Sequence, residues 1–349
     1  SFAVLLDTDR CLYSVAYLER KVSAKTFIMK FKIWVYFLFV FCFACLSVTA
    51  QNKAAAAKFV AESSSQLQTL VDRAARETLE RFAAKGLKTE NLAITLIDLR
   101  DANNLKQADF HGEQPIYPAS VVKMFYLAAA HAQLEDGKLK DTPELRRGLR
   151  DMIVDSSNDA THFLVDVLTE ATGGSELSPK ELEKWAFKRN AVNRYFTAQG
   201  YQNINVNQKT YCEDLYGRER QFWNGGKVRN KLTTNATARL LAEIALGKAV
   251  NAKRSLEMME LLKRDQFKEK ADADSQDTGF TGIALKQSGI RLWSKAGWTS
   301  KSRHDAAYVE TPEGLKFVLV TFTESVANER EIIPHIAEIV LKELKTITN

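Results

Sequence analysis

Ser120 and Lys123 are the residues of this chain best suited to chemistry. They form its only Ser-x-x-Lys, within Tyr117-Pro118-Ala119-Ser120-Val121-Val122-Lys123-Met124-Phe125. The apolar neighbours predict the first turns of a buried helix, where residues three apart share a face. A serine hydroxyl is a poor nucleophile near neutral pH. An adjacent amine held neutral by its surroundings can take its proton, freeing it to attack an acyl carbon. Pro118 suits a helix start, whose N–H groups can face a developing oxyanion. Two more triplets follow in the order such a site needs. Ser156-Ser157-Asn158 is the only Ser-x-Asn, and Lys295-Ala296-Gly297 is the only Lys-x-Gly.

This ordered triple resembles the penicillin-recognising serine hydrolases. The residues around it look most like class A β-lactamases and their relatives, from about Asn91 to the C-terminus. The resemblance implies Ser120 as nucleophile and Lys123 as its base. Ser156 would pass a proton to the leaving nitrogen. Asn158 would position the Lys123 amine and bond a substrate amide, a role compatible with the N-cap preference of Ser and Asn. Lys295 would attract a substrate carboxylate, and Gly297 would let the substrate backbone approach the strand edge. The Trp298 and Ser120 N–H groups would form the oxyanion hole. The alternative for Lys295 is an edge-strand lysine that limits aggregation.

The chain departs from class A at several points. Ala296 stands where a Thr or Ser usually helps hold the substrate carboxylate, which leaves Thr299, Ser300, Arg303 or His304 as replacements. Ser157 stands where class A usually has Asp. Ser120 and Ser156 are closer in sequence than usual, which implies a reduced wall and a wider cleft. Thr233-Thr234-Asn235 matches a family helix start, but no Glu-x-x-x-Asn element precedes it. Glu219, in Gly217-Arg218-Glu219-Arg220, is the expected deacylating base by position; Glu213 is the other candidate. The bland reading of Glu219 is an ion pair with neighbouring arginines.

The rest of the composition is that of an ordinary globular protein: 349 residues, 45% hydrophobic and 26% charged. A core of that size needs no disulfide or metal staple. Met29-Lys30-Phe31-Lys32, the apolar run Ile33 to Val48 and the small residues Val48-Thr49-Ala50 read as a secretory signal peptide cleaved near Ala50. A retained anchor or lipidation at Cys45 are the alternatives, and residues 1–28 are an unassigned extension. Removing residues 1–50 leaves Cys212 as the sole cysteine, read as a packed thiol. The first 50 residues hold six Lys/Arg and three Asp/Glu, so the processed chain would carry +3. That charge does not argue for nucleic acid. The five histidines are scattered, with no metal-ligand spacing, so no metal or other cofactor is expected.

The elements that must position these residues follow from periodicity. Ala54 to Ala84 reads as one long amphipathic helix ended by Gly86. Residues 92–99 read as a strand, with a second running up to His111. Helical patterns dominate from Ser120 to about Lys263, with N-cap and proline signals at Asp141-Thr142-Pro143 and Ser178-Pro179. Strands return at Leu292–Trp298, Asp305–Glu310 and Leu315–Thr323, followed by a helix from Glu329 to Leu344. Two strands, helices, three strands and a helix predict an α+β fold. One five-stranded antiparallel sheet would be flanked by the N- and C-terminal helices, with a separate all-helical lobe. The expected protein is an exported, monomeric β-lactamase-type hydrolase, residues 51–349, acting on a small β-lactam or a peptidoglycan peptide. A cell-wall DD-peptidase or esterase, or a slowly deacylating penicillin-binding sensor, are the alternatives.

Overall fold

The computed structural model describes residues 59–210, 215–270 and 272–347. The predicted leader at 29–50, Cys212 and Glu213 therefore lie outside the described residues.

Strand β1 (Glu62–Ser63) leads into helix α1 (Ser65–Phe82), and strands β2 (Leu92–Asp98) and β3 (Lys106–Phe110) follow. Helices α2 (Val122–Glu135), α3 (Pro143–Ile153), α4 (Asn158–Thr169), α5 (Pro179–Arg189) and α6 (Ala191–Ala198) come next. Then come α7 (Gly217–Trp223), α8 (Thr234–Ala245), α9 (Ala252–Leu262) and strand β4 (Lys263–Arg264). Strands β5 (Arg291–Trp298), β6 (Ser302–Glu310) and β7 (Lys316–Glu324) precede the closing helix α10 (Ile332–Leu344).

The five expected strands are present, but the sheet has seven, in the order β1-β3-β2-β7-β6-β5-β4. It is mixed, because β1 pairs with β3 in parallel while the other pairs are antiparallel. The two extra strands are two residues each, too short for any alternation to show in sequence. The first helix is also shorter than expected. It starts at Ser65, where the Ser64 hydroxyl accepts from the Leu67 N–H and caps the helix.

The sheet is buried on both faces, and β2 and β7 are accordingly mostly apolar, whereas β6 also buries Arg303, His304 and Asp305. In β2, Leu92, Ile94 and Leu96 pack with α1 and α10, whereas Ala93 and Ile97 join the core of the helical lobe. Helix α2 is the centre of that lobe, buried on every side from Val122 to Ala132. It holds the Ser120 segment against the sheet. Residues 205 and 231 are joined by two backbone hydrogen bonds of 2.8 and 2.9 Å. They tie together the two ends of the segment that carries α7. Asn230 stitches its interior: its Oδ1 accepts from the Asn207 and Gln208 N–H groups, and its Nδ2 donates to the Gln208 carbonyl.

Candidate active site

Ser120 lies in a single 3-10 turn, Ala119–Val121, that runs directly into α2. In a 3-10 turn the side chains at i and i+3 eclipse, so Ser120 and Lys123 lie on one face. Ala119, just before the serine, has φ +47°, a left-handed conformation that a non-glycine residue holds only when its surroundings impose it. Part of that constraint comes from His304 on β6. Its Nδ1 accepts from the Thr323 N–H at 3.1 Å, which leaves Nε2 to donate to the Tyr117 carbonyl at 2.9 Å. Burial pushes the His304 pKa down to about 4, so the ring stays neutral and keeps this pattern.

Lys123 is fully buried. Its Nζ donates to the Ser156 carbonyl at 2.6 Å and the Asn158 Oδ1 at 2.8 Å, with the Ser156 Oγ at 3.3 Å. Ser156 is the second strained residue, at φ +55°. Ser157 caps α4 by accepting from the Ala160 N–H, which sets Asn158 at the first turn facing Lys123. On the other side of Ser156, the Lys295 Nζ reaches its Oγ at 3.0 Å. Lys295 also donates to the Gln276 Oε1 at 2.5 Å and the Ala296 carbonyl at 2.8 Å. The structure thus brings all three motifs together, with the Ser156 hydroxyl between two buried lysines. Burial, then the neighbouring Lys123 and Arg264, hold the Lys295 pKa well below that of an ordinary lysine; Asp305 opposes them.

Gly297 packs on the Ser120 turn. A Cβ there would lie 2.6 Å from the Ser120 nitrogen, 2.8 Å from the Val121 nitrogen and 2.9 Å from the Pro118 carbonyl oxygen. A close approach that requires glycine is therefore made by this chain's own backbone. The Thr299 N–H donates to the Ser302 carbonyl of β6. Hydrogen-bonded pairs alternate along an antiparallel ladder, so the Ala296 and Trp298 N–H groups point away from β6. The Ala296 N–H accordingly finds the Gln276 Oε1. The Trp298 N–H projects from the same edge, one step nearer the end of the strand.

The other expected contributors are distributed unevenly. The Thr299 Oγ accepts from the Lys301 and Ser302 N–H groups and so closes the β5–β6 turn; Ser300 is exposed. Arg303 is tied to Asp274 and the Ala273 carbonyl beneath Phe280, and His304 is buried against Tyr117. Neither faces the Lys295 amine. Ala296 packs with Phe280 and Ile333 toward α10.

Glu219 lies in a buried ion-pair cluster. It is buried, and its Oε1 accepts from the Arg189 Nη2 at 2.5 Å, with the Lys209 Nζ at 3.3 Å. Asp166 completes this cluster by pairing with both cations. Neither flanking arginine is its partner, and none of its contacts reaches Ser120 or Lys123. The carboxylate fastens α7 to α4 and α5. The Thr210 carbonyl bonds the His162 Nε2, one turn along α4 from Asn158. Gln276 and Arg264 were missed as site-building residues, and His304 was named only as a substitute carboxylate partner, not as the residue that pins the Ser120 turn. Among the described residues, no group of three or more His, Cys, Asp or Glu is placed to hold a metal ion.

The Beta-lactamase enzyme family profile matches residues 74–344. The chain belongs to that family. No curated protein matches it in sequence. Among solved structures it is similar to a β-lactamase from Sphaerobacter thermophilus, with a TM-score of 0.59 and 17% identity over 79% of this chain and 99% of that one. A β-lactamase from Chitinophaga pinensis gives a TM-score of 0.55 and 18% identity over 77% and 99%. PBP-A gives a TM-score of 0.55 and 15% identity over 82% and 98%. At these identities the likeness establishes the fold, an α+β architecture of the β-lactamase and transpeptidase kind.

Proposed function

We propose that this protein is a serine hydrolase of the class A β-lactamase type that opens β-lactam amides through an acyl-enzyme on Ser120. The observation that carries the reading is the Ser156 hydroxyl held between Lys123 and Lys295, beside the strained turn that bears Ser120. In acylation, the Ser120 Oγ attacks the carbonyl carbon while the Lys123 amine accepts its proton. The oxyanion is met by the Ser120 and Trp298 N–H groups. As the C–N bond breaks, Ser156 gives its proton to the leaving nitrogen and is reprotonated from a neighbouring lysine. Lys295 attracts the substrate carboxylate, with Thr299 and Ser300 nearest on the strand end. Water then hydrolyses the ester.

A second reading, slow deacylation as in a cell-wall peptidase or penicillin sensor, is favoured by one observation: Glu219 is committed to Arg189 and Lys209. A PBP-A variant has been solved as an acyl-enzyme complex with penicillin-G, so a long-lived adduct is compatible with this fold. Export of the enzyme rests on the Met29–Ala50 pattern alone.

Intact-protein mass spectrometry of residues 51–349 mixed with benzylpenicillin, beside Ser120→Ala, tests both readings. A transient adduct with released product, absent in the variant, supports the β-lactamase. A persistent adduct supports the second reading. No adduct in the unsubstituted protein would overturn both.

A further inference from the structure

Gln276 is nine-tenths buried, in the polar stretch Asp272-Ala273-Asp274-Ser275-Gln276-Asp277. Its side chain makes four contacts. Oε1 accepts from the Lys295 Nζ at 2.5 Å and the Ala296 N–H at 3.3 Å. Nε2 donates to the Ile153 carbonyl at 3.2 Å and the Val154 carbonyl at 3.0 Å. Two donors face the oxygen and two acceptors face the nitrogen, so only one amide orientation satisfies them. One side chain thereby ties the outer edge of β5 to the segment leading into Ser156.

The loop that presents Gln276 is itself fixed. Arg303 and Arg330 both hold Asp274, and Lys268 holds Asp277. A Cβ on Gly279 would lie 2.2 Å from the Ala273 carbonyl oxygen, so the loop is folded tightly on itself.

The chemistry of the contact matters as much as its geometry. The three acceptors around Lys295 are a hydroxyl, an amide and a backbone carbonyl, all neutral. Arg264, also buried, bonds only the Ser294 and Ile153 carbonyls. Buried charges are ordinarily paired with an opposite charge. Among the described residues, no carboxylate lies within ion-pair distance of the lysine; Asp305 acts on it from farther off.

We propose that Gln276 is a positioning residue: it holds Lys295 against Ser156 and, as a neutral amide, leaves the lysine without an ion-paired carboxylate, Asp305 acting on it only from a distance, so that the site selects substrates that bring a carboxylate. This inference rests on the acylation chemistry proposed above. A glutamate at 276 would supply the missing counter-ion from within and repel the substrate's own. A methionine would remove the bridge without adding charge.

The test compares acylation by benzylpenicillin and by its methyl ester, which differ only in the carboxylate. Adduct formation is followed by mass spectrometry in the unsubstituted protein, Gln276→Glu and Gln276→Met, with folding checked by thermal denaturation. The unsubstituted protein is expected to prefer the free acid. Q276E should lose that preference at least tenfold. Q276M should slow both substrates together and keep the preference. An unchanged preference in Q276E, or an equal loss of it in Q276M, would overturn the role of the neutral amide. If the unsubstituted protein forms no adduct with either compound, the acylation reading fails and this inference falls with it.

Discussion

Replacing Gly297 by alanine should damage catalysis more than stability. The new Cβ would lie 2.6 Å from the Ser120 nitrogen, and ordinary contact begins near 3.4 Å, so the two backbones must separate by roughly 0.8 Å. All three crowded atoms belong to the backbone of Pro118, Ser120 and Val121, so no rotamer change relieves them. Neither side yields easily. The strand is laddered to β6, and the turn is held by the His304 bond to Tyr117. Overpacking of this kind costs about 1–3 kcal/mol in stability. A shift approaching 1 Å at a reacting group costs on the order of 100-fold in rate, comparable to losing an oxyanion donor. We therefore expect penicilloyl-adduct formation in Gly297→Ala to slow about 100-fold, with the protein still folded. Gly137→Ala is the control. It lies just past the other end of α2, and its Cβ would meet nothing within 4 Å. Its φ of +69° imposes only local strain, so it should acylate normally. A folded Gly297→Ala protein acylating within threefold of the unsubstituted rate would refute the argument that this contact sets the serine's position.

Two further outcomes follow from the site. Lys295 acts as a cation, and its pKa is lowered by burial and by Lys123 and Arg264 against the opposing pull of Asp305. Its charge is present below that lowered value and lost as pH rises through it. Acylation by benzylpenicillin should therefore fall on the alkaline side well before an ordinary lysine would titrate, whereas the methyl ester should lack this limb; matching profiles for the two compounds would count against it. Glu219→Gln should destabilise the fold by about 3 kcal/mol, because the buried Arg189 keeps only the partly exposed Asp166 as a counter-ion. That corresponds to roughly 6–12 °C in melting temperature, and any adduct should decay at an unchanged rate; a folded, fully stable variant with a trapped adduct would restore Glu219 as the base.

Much of the site was legible because its chemistry sits in three short motifs whose order survives in sequence. The long strands were legible for a similar reason: β2, β5, β6 and β7 run seven to nine residues, and each carries apolar or aromatic residues along its length. The start of α1 was not, because Ser63-Ser64-Ser65 interrupts the periodic pattern without breaking it, and alanines upstream extend the apparent helix. The ion partners of Glu219 were hidden for a related reason. Its partners, Arg189 and Lys209, are thirty and ten residues away, while two arginines beside it offered a local explanation that the fold does not use. Gln276 was invisible because a polar loop does not reveal which of its side chains turns inward.

The strain in the site was equally hidden, yet it bears most directly on function. Ala119 and Ser156 both adopt left-handed backbone angles, at +47° and +55°. Neither residue prefers that region, and each such conformation costs on the order of 1–3 kcal/mol. The two lie on opposite sides of the same constellation, one next to Ser120 and one supplying the hydroxyl shared by Lys123 and Lys295. Each is held by bonds from elsewhere in the chain. His304 pins the turn before Ala119, and the two lysines grip the carbonyl and hydroxyl of Ser156. Stability drawn from the rest of the fold is thus used to keep the reacting groups in place before any substrate arrives. Loosening His304 should therefore displace Ser120 without touching a group that takes part in the reaction.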